Sequence, residues 1–193
     1  MTQEHIKETM NLWFSAIQEL EAVQTFLDGN KINEQFYRRL FIRNVFSIIE
    51  TYLYITKELV KIKLDIDGFG KNQTSWEEVS ILHEKRAVLN KTGKIETKDE
   101  FQSFIPTLRF SLTIFANVFN SKLPDFGNHN FEKLIHLSKR RNDITHPKSS
   151  ADLIITSQEI SDTVHMFAWF MKAHKDISDG DFLEWFRRIH GKS

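Results

Sequence analysis

The sequence predicts an all-α protein, a helical bundle carrying one small inserted region. Apolar residues recur at three-to-four spacing over most of the chain, the period of a helix face. Seven Gly and three Pro are too few for a many-stranded sandwich or barrel, whose turns recur every ~8–12 residues. A composition of 40% hydrophobic and 27% charged residues excludes an intrinsically disordered chain. At 193 residues the chain has the length of one domain, 1–193, and neither a repeat nor a linker divides it.

The first helix is expected from His5 to Leu27, on Leu12, Phe14, Ile17, Leu20, Val23 and Leu27, closing at Asp28-Gly29-Asn30. A longer helical pattern runs from about Asn33 to Ile66 without Gly or Pro. Its apolar positions, among them Phe36, Leu40, Phe46, Ile49, Leu53 and Leu59, wrap more than one face, as in a central helix. The run Asp67 to Asn72, with Gly68-Phe69-Gly70-Lys71 at its centre, ends it. That GxG lacks the spacing and strand context of a phosphate loop, and it reads as a turn.

Residues 67–103 form the expected insertion. Ser75-Trp76-Glu77-Glu78 is a capping box opening a short helix. Residues 87–98, around Asn90-Lys91-Thr92-Gly93, read as a small hairpin or a loose connection. A helix from about Pro106 to Asn120 follows, with Phe110, Phe115 and Phe119 expected in the core. Next comes a helix from about Asn130 to Arg141. A second capping box, Thr156 to Glu159, launches a helix to about Lys175. A last short helix occupies 181–193, and its Phe182-Leu183-Glu184-Trp185-Phe186 stretch is expected to dock on its own bundle.

Composition narrows the chemistry. Lys plus Arg balance Asp plus Glu at 26 each, so bulk charge neither demands nor forbids a nucleic-acid partner. Zero cysteines remove disulfides, zinc–thiolate sites and thiol catalysis. The remaining histidines show no HxxxH or HExxH spacing, so no metal and no cofactor is expected. The polar N-terminus and the lack of a ~20-residue apolar run make the cytoplasm the default, with no membrane partner.

The informative segment is Lys139-Arg140-Arg141-Asn142-Asp143-Ile144-Thr145-His146-Pro147-Lys148. Arg141 is followed by Asn142 at the expected end of an amphipathic helix. His146 precedes a proline, and a capped long helix follows. From Glu132 to Lys148, five Lys or Arg stand against two acids, a +3 island in a neutral protein. Cations also collect at helix C-termini because the dipole favours them. The island alone therefore discriminates poorly.

With these residues the chain resembles the HEPN superfamily, helical bundles marked by an Arg-polar-x3-His motif between the penultimate and last core helices. The match is tight over Arg141, Asn142 and His146, and loose over residues 33–176. The resemblance implies a metal-independent endoribonuclease, often a toxin or anti-phage effector, acting as a homodimer that joins two motifs. It also implies an RNA substrate and a possible antitoxin or effector partner. Toxins silenced by a nucleotidyltransferase often carry a tyrosine two residues after the histidine, where this chain has Lys148. Many members of the superfamily have lost activity, so a non-catalytic module binding RNA, a nucleotide or a protein is the alternative.

Chemistry suits the same residues. RNA is cleaved without metal when a base takes the 2′-hydroxyl proton, an acid protonates the leaving 5′-oxygen, and cations stabilise the phosphorane. Histidine, with an ordinary pKa of about 6.5, fits the proton transfers. Arginine, a planar fork that stays charged, fits the phosphate. Arg141 and His146 are therefore the candidate catalytic pair, with Asn142 as a polar positioning residue. Lys139, Arg140 and Lys148 are the candidate RNA-binding cations. On an unbroken helix Arg141 and His146 would lie about 140° apart. The helix must end or bend between them, and Pro147 supplies a reason, since it pushes its predecessor out of the α region.

Glu50 is the other residue of note. From Asn44 to Thr56 it is the only charged side chain, set among Val45, Phe46, Ile49 and Leu53. A carboxylate there must be paired, protonated or facing a cavity. Arg43, Ser47, Glu50 and Tyr54 share one stripe of that helix. The stripe is expected to face the motif, with Glu50 orienting Arg141; an internal pair with Arg43 or an exposed narrow face is the competing expectation.

Overall fold

The computed structural model describes residues 3–28, 30–68, 74–100 and 102–190. Among them the chain forms seven α-helices and one two-stranded hairpin, so the all-α class holds. The helices are α1 (Gln3–Asp28), α2 (Gln35–Asp67), α3 (Trp76–Leu82), α4 (Phe104–Val118), α5 (His129–Thr145), α6 (Ser157–Ser178) and α7 (Asp181–His190). The strands β1 (Lys85–Leu89) and β2 (Ile95–Asp99) stand between α3 and α4, within the expected insertion. Short 3-10 turns occupy Asn30–Asn33 and Ser150–Leu153. No helix among the described residues is long and apolar enough to cross a membrane.

The chain packs as two compact units, Thr2–Ile55 with Pro124–Asp176 and Thr56–Leu123 with Ile177–Ser193. In the first, α2 buries Phe41, Ile42, Val45, Phe46 and Ile49, while α5 buries Phe131, Leu134, Leu137 and Ile144. Each such side chain contributes roughly 1.5–3 kcal/mol by leaving water. From α6 come Met166 and Phe170, the latter edge-on to Tyr52 at 6.3 Å. His174 is fully buried against Tyr52, 4.8 Å between ring centroids. Burial pushes its imidazole pKa down to about 4.

In the second unit, Leu108, Leu112, Phe115 and Phe119 of α4 form the buried stripe. The C-terminal α7 docks on it, with Phe182 and Trp185 each 5.2 Å from Phe119. The ammonium of Lys63 pairs with Asp67 at 2.8 Å and lies 5.2 Å from the Phe119 ring centroid, and the two contacts together account for a cation in so apolar a corner. The box Ser75–Glu78 caps α3 as expected. Residues 87–98 resolve into a hairpin, Leu89 opposite Ile95 and Lys85 opposite Asp99. Its turn is set by the Asn90 side chain, which accepts from the Thr92 and Lys94 N–H groups, and by Gly93 at φ +77°.

Some expectations fail. Phe36 and Phe14 lie on the solvent side of their helices, 60% and 61% exposed, and Phe110 is only half-buried. The side chains of Ile17, Leu20, Val23 and Leu27, together with Gly29 and residues 69–73, lie outside the described residues. Helix α5 runs on past Arg141 to Thr145. The reason is Ile144, fully buried on the same face as Leu134 and Leu137, which holds one more turn onto the core.

Candidate functional site

The site is built on the end of α5. His146 is the first residue past the helix, at φ −128° and ψ 63°, with its N–H still donating to the Asn142 carbonyl at 2.9 Å. Pro147 cannot continue a helix and excludes the α region for its predecessor, so α5 stops one residue short of the imidazole. Arg141 and His146 are thus separated by the end of the helix.

Two side chains of α2, seven residues apart and on one stripe, grip this last turn. Arg43 donates through Nη2 to the carbonyl of Ile144, satisfying an orphan acceptor at the helix terminus. Arg141 donates through Nη2 to Oε1 of Glu50. Its guanidinium carbon also lies 5.5 Å from the Phe46 ring centroid, against the aromatic face. Glu50 thus meets Arg141, and Arg43 reaches Ile144 instead of pairing with Glu50. Arg43, Ser47, Glu50 and Tyr54 are nonetheless all exposed, so the stripe is also the narrow solvent-facing side of α2. Side-chain exposure is 24% for Arg141 and 47% for Glu50, so water screens the pair and its contribution to stability is small.

Arg140, one residue earlier, has a different environment. Its Nε donates to Glu159 at 2.6 Å, Nη1 to the Asp152 carbonyl at 2.8 Å and Nη2 to the Ile154 carbonyl at 2.5 Å. The expected RNA-binding cation is therefore bonded at all three nitrogens, two to the connection between α5 and α6 and one to Glu159 in the first turn of α6. Adjacent helical residues point about 100° apart, which sends Arg140 toward α6 and Arg141 toward α2.

That connection, residues 146–156, is fastened along its length. Asp152 accepts from the N–H groups of Lys148 and Ser149, both at 2.8 Å, and those bonds hold its carboxyl below the usual range. From α2, Arg39 reaches the Leu153 carbonyl and Arg38 the Ile155 carbonyl, both at 2.8 Å. Gln35 exchanges two bonds with Ile155, donating at 3.0 Å and accepting at 2.7 Å. The box at α6 forms as expected, Thr156 N–H to Glu159 at 2.7 Å and Glu159 N–H to Thr156 at 3.1 Å. Burial pushes the Glu159 carboxyl up, but hydrogen bonds from Thr156 and Arg140 outweigh it and leave the pKa lowered.

The other candidates face solvent. Lys139, Asn142, His146 and Lys148 are exposed, and their side chains make no hydrogen bond or ion pair among the described residues. The cleft beside the first turns of α5, lined by His129, Lys133, His136 and Asp162, does not include Arg141 or His146. Among the described residues no His, Asp and Glu cluster is placed to hold a metal ion. No family model matches the chain, and no curated protein or solved structure matches it either.

Sequence reasoning missed Gln35, Arg38, Arg39 and Asp152, which shape the site without belonging to the motif. A signal existed for part of this. Arg38 and Arg39 stand in the first turns of a helix, where the dipole disfavours cations, so they needed acceptors from elsewhere; Gln35 and Asp152 gave no such signal.

Proposed function

We propose that the chain is a metal-independent endoribonuclease of HEPN type, with His146 as general acid/base and Arg141 as the phosphate-binding cation. One observation supports this most. An exposed imidazole stands where α5 ends, one turn beyond a guanidinium oriented by Glu50 and Phe46. In this reading the base removes the 2′-hydroxyl proton and the freed oxygen attacks phosphorus. The bond to the 5′-oxygen breaks, and the acid protonates that oxygen. The products are a 2′,3′-cyclic phosphate and a 5′-hydroxyl. Each chain offers one such histidine, so a homodimer joining two motifs would supply base and acid together. Glu50 is a positioning residue for Arg141, while Asn142, Lys139 and Lys148 face the RNA backbone. A toxin or anti-phage role, with an antitoxin partner, belongs to the same proposal.

The test is incubation of the purified protein with RNA in the presence of chelator. Cleavage that persists, leaves cyclic phosphate ends and disappears in His146→Ala is the expected result. Wild-type cleavage by a folded His146→Ala variant would remove His146 from the mechanism.

A second reading has its own support. Glu50 neutralises Arg141 within the helix pair, an arrangement that also suits a non-catalytic module binding RNA, a nucleotide or a protein. RNA binding without cleavage, unaffected by His146→Ala, would favour it.

A further inference from the structure

We propose that the hairpin is a self-association surface, on which β2 of one copy pairs antiparallel with β2 of a second about a two-fold axis at Thr97. The proposal is independent of the RNA-cleavage reading.

The hairpin is left open by its own fold. Every residue of β2 is exposed, as are all of β1 except Val88. Leu89 and Ile95, opposite one another, are 73% and 76% exposed. Among the described residues the sheet has only these two strands, so each presents an unpaired edge. An isolated pair of strands is marginal in water, and a sheet of three or more is not.

The ladder fixes which backbone groups of β2 point outward. Glu100 N–H donates to the Glu84 carbonyl at 2.8 Å and Asn90 N–H to the Lys94 carbonyl at 2.9 Å, bracketing the strands. In an antiparallel pair hydrogen-bonded positions alternate. Glu96 and Lys98 therefore bond across to β1, while Ile95, Thr97 and Asp99 turn their N–H and C=O groups away from it. A two-fold axis at Thr97 matches these outward groups with those of the second copy. Thr97 meets Thr97, and Ile95 meets Asp99 twice.

Side chains then select the register. The same axis places Glu96 directly opposite Lys98 of the other copy, and Lys98 opposite Glu96. Both are non-hydrogen-bonded positions, where facing side chains come closest. Sliding one way sets Glu96 against Glu96; sliding the other sets Lys98 against Lys98. A shift by one residue opposes outward groups to inward ones. Lysine on an edge ordinarily repels a further strand. Here the strand Ile-Glu-Thr-Lys-Asp carries its own complement, so the repulsion is lifted for a second copy in one alignment. Strands of five residues bury well under ~1,000 Å², so the dimer is weak and forms reversibly with concentration.

The test is sedimentation equilibrium of the full chain over a concentration series, with circular dichroism checking each variant's fold. Wild type is expected to show a monomer–dimer equilibrium. Lys98→Glu and Glu96→Lys are each expected to weaken it by about tenfold or more. The double variant restores the pairing with signs exchanged, and an equimolar mixture of the two single variants associates. Thr97→Pro, which removes an N–H facing away from β1, is expected to abolish the dimer and keep the hairpin. A wild type monomeric at every concentration would overturn the proposal. So would single variants that dimerise like wild type, or a double variant that does not recover. The ribonuclease reading also invokes a homodimer, so a wild type monomeric at every concentration counts against both. The charge-exchange and Thr97→Pro variants bear on the hairpin alone, and their cleavage of RNA in chelator tests the ribonuclease reading separately.

Discussion

Between α5 and α6, residues 146–156 are fastened by side chains from three helices. Between α3 and α4, residues 85–99 are held by their own ladder and by tethers at the base, Lys57 to Glu84 and the Ser80 hydroxyl to the Lys85 carbonyl. The first connection has one 3-10 turn, and its carbonyls at 152–155 find partners because Gln35, Arg38, Arg39 and Arg140 are aimed at them. The second pairs alternate backbone groups across its own ladder and leaves its outer edge and nearly all its side chains in water. Loop entropy is thus opposed in one case by directed bonds from elsewhere and in the other by local pairing. A residue at the head of the first connection, His146, inherits a fixed origin. A residue on the second, such as Glu96, is positioned only relative to its own hairpin.

The contrast can be sharpened most strongly at its functional end. His146→Ala should lower RNA cleavage by about 10²–10⁴-fold while helical content stays constant, read as initial rates with matched circular dichroism spectra. Acid gives the next largest effect, on the fastened unit. His174 is neutral in the fold with its pKa held at about 4, and in the unfolded chain it titrates near 6.5. Its stabilising contribution is complete above pH 6.5 and is lost as pH falls toward 4, by about 3 kcal/mol in full. Urea midpoints across that range should follow the slope in wild type and flatten in His174→Gln.

Arg140→Ala should destabilise by about 2–3 kcal/mol, because a half-buried Glu159 loses its cation and two carbonyls lose their donor. Hydrogen exchange should quicken across 146–156 and remain unchanged across 85–99; equal acceleration in both would erase the distinction drawn above. Glu50→Gln should cost under about 1 kcal/mol, the pair being partly exposed. It should nonetheless slow cleavage if Glu50 positions Arg141. A lower melting temperature with unchanged cleavage would assign the pair to structure alone. Ile95→Thr is the smallest expected change, within about 0.5 kcal/mol of wild type by chemical denaturation at low protein concentration.

Much of this was legible because it is local. The boxes Ser75–Glu78 and Thr156–Glu159 are read from residues three apart, and both form. Glu50 was legible as a member of the polar stripe Arg43, Ser47, Glu50 and Tyr54; the stripe proves solvent-facing, so the carboxylate meets Arg141 beside water and not because burial demands a partner. Phe36 was misread since periodicity assigns a stripe without showing where the stripe ends. The end of α5 was placed at Arg141 because the polar run there hides Ile144, a lone apolar residue whose burial depends on the tertiary core. Arg140 looked like a free cation because two of its acceptors, the Asp152 and Ile154 carbonyls, carry no side-chain signature, and the third, Glu159, reads first as part of the α6 capping box.

The bonds from Gln35, Arg38 and Arg39 to residues 153 and 155 join groups 114 to 120 positions apart in the chain. Contacts of such separation close late in folding. During synthesis the start of α2 is made long before residues 153 and 155, so Gln35, Arg38 and Arg39 stand without these acceptors until the segment after His146 has emerged. On the ribonuclease reading, a nascent chain would stay harmless to the message being translated until residues 146–156 have emerged and met α2.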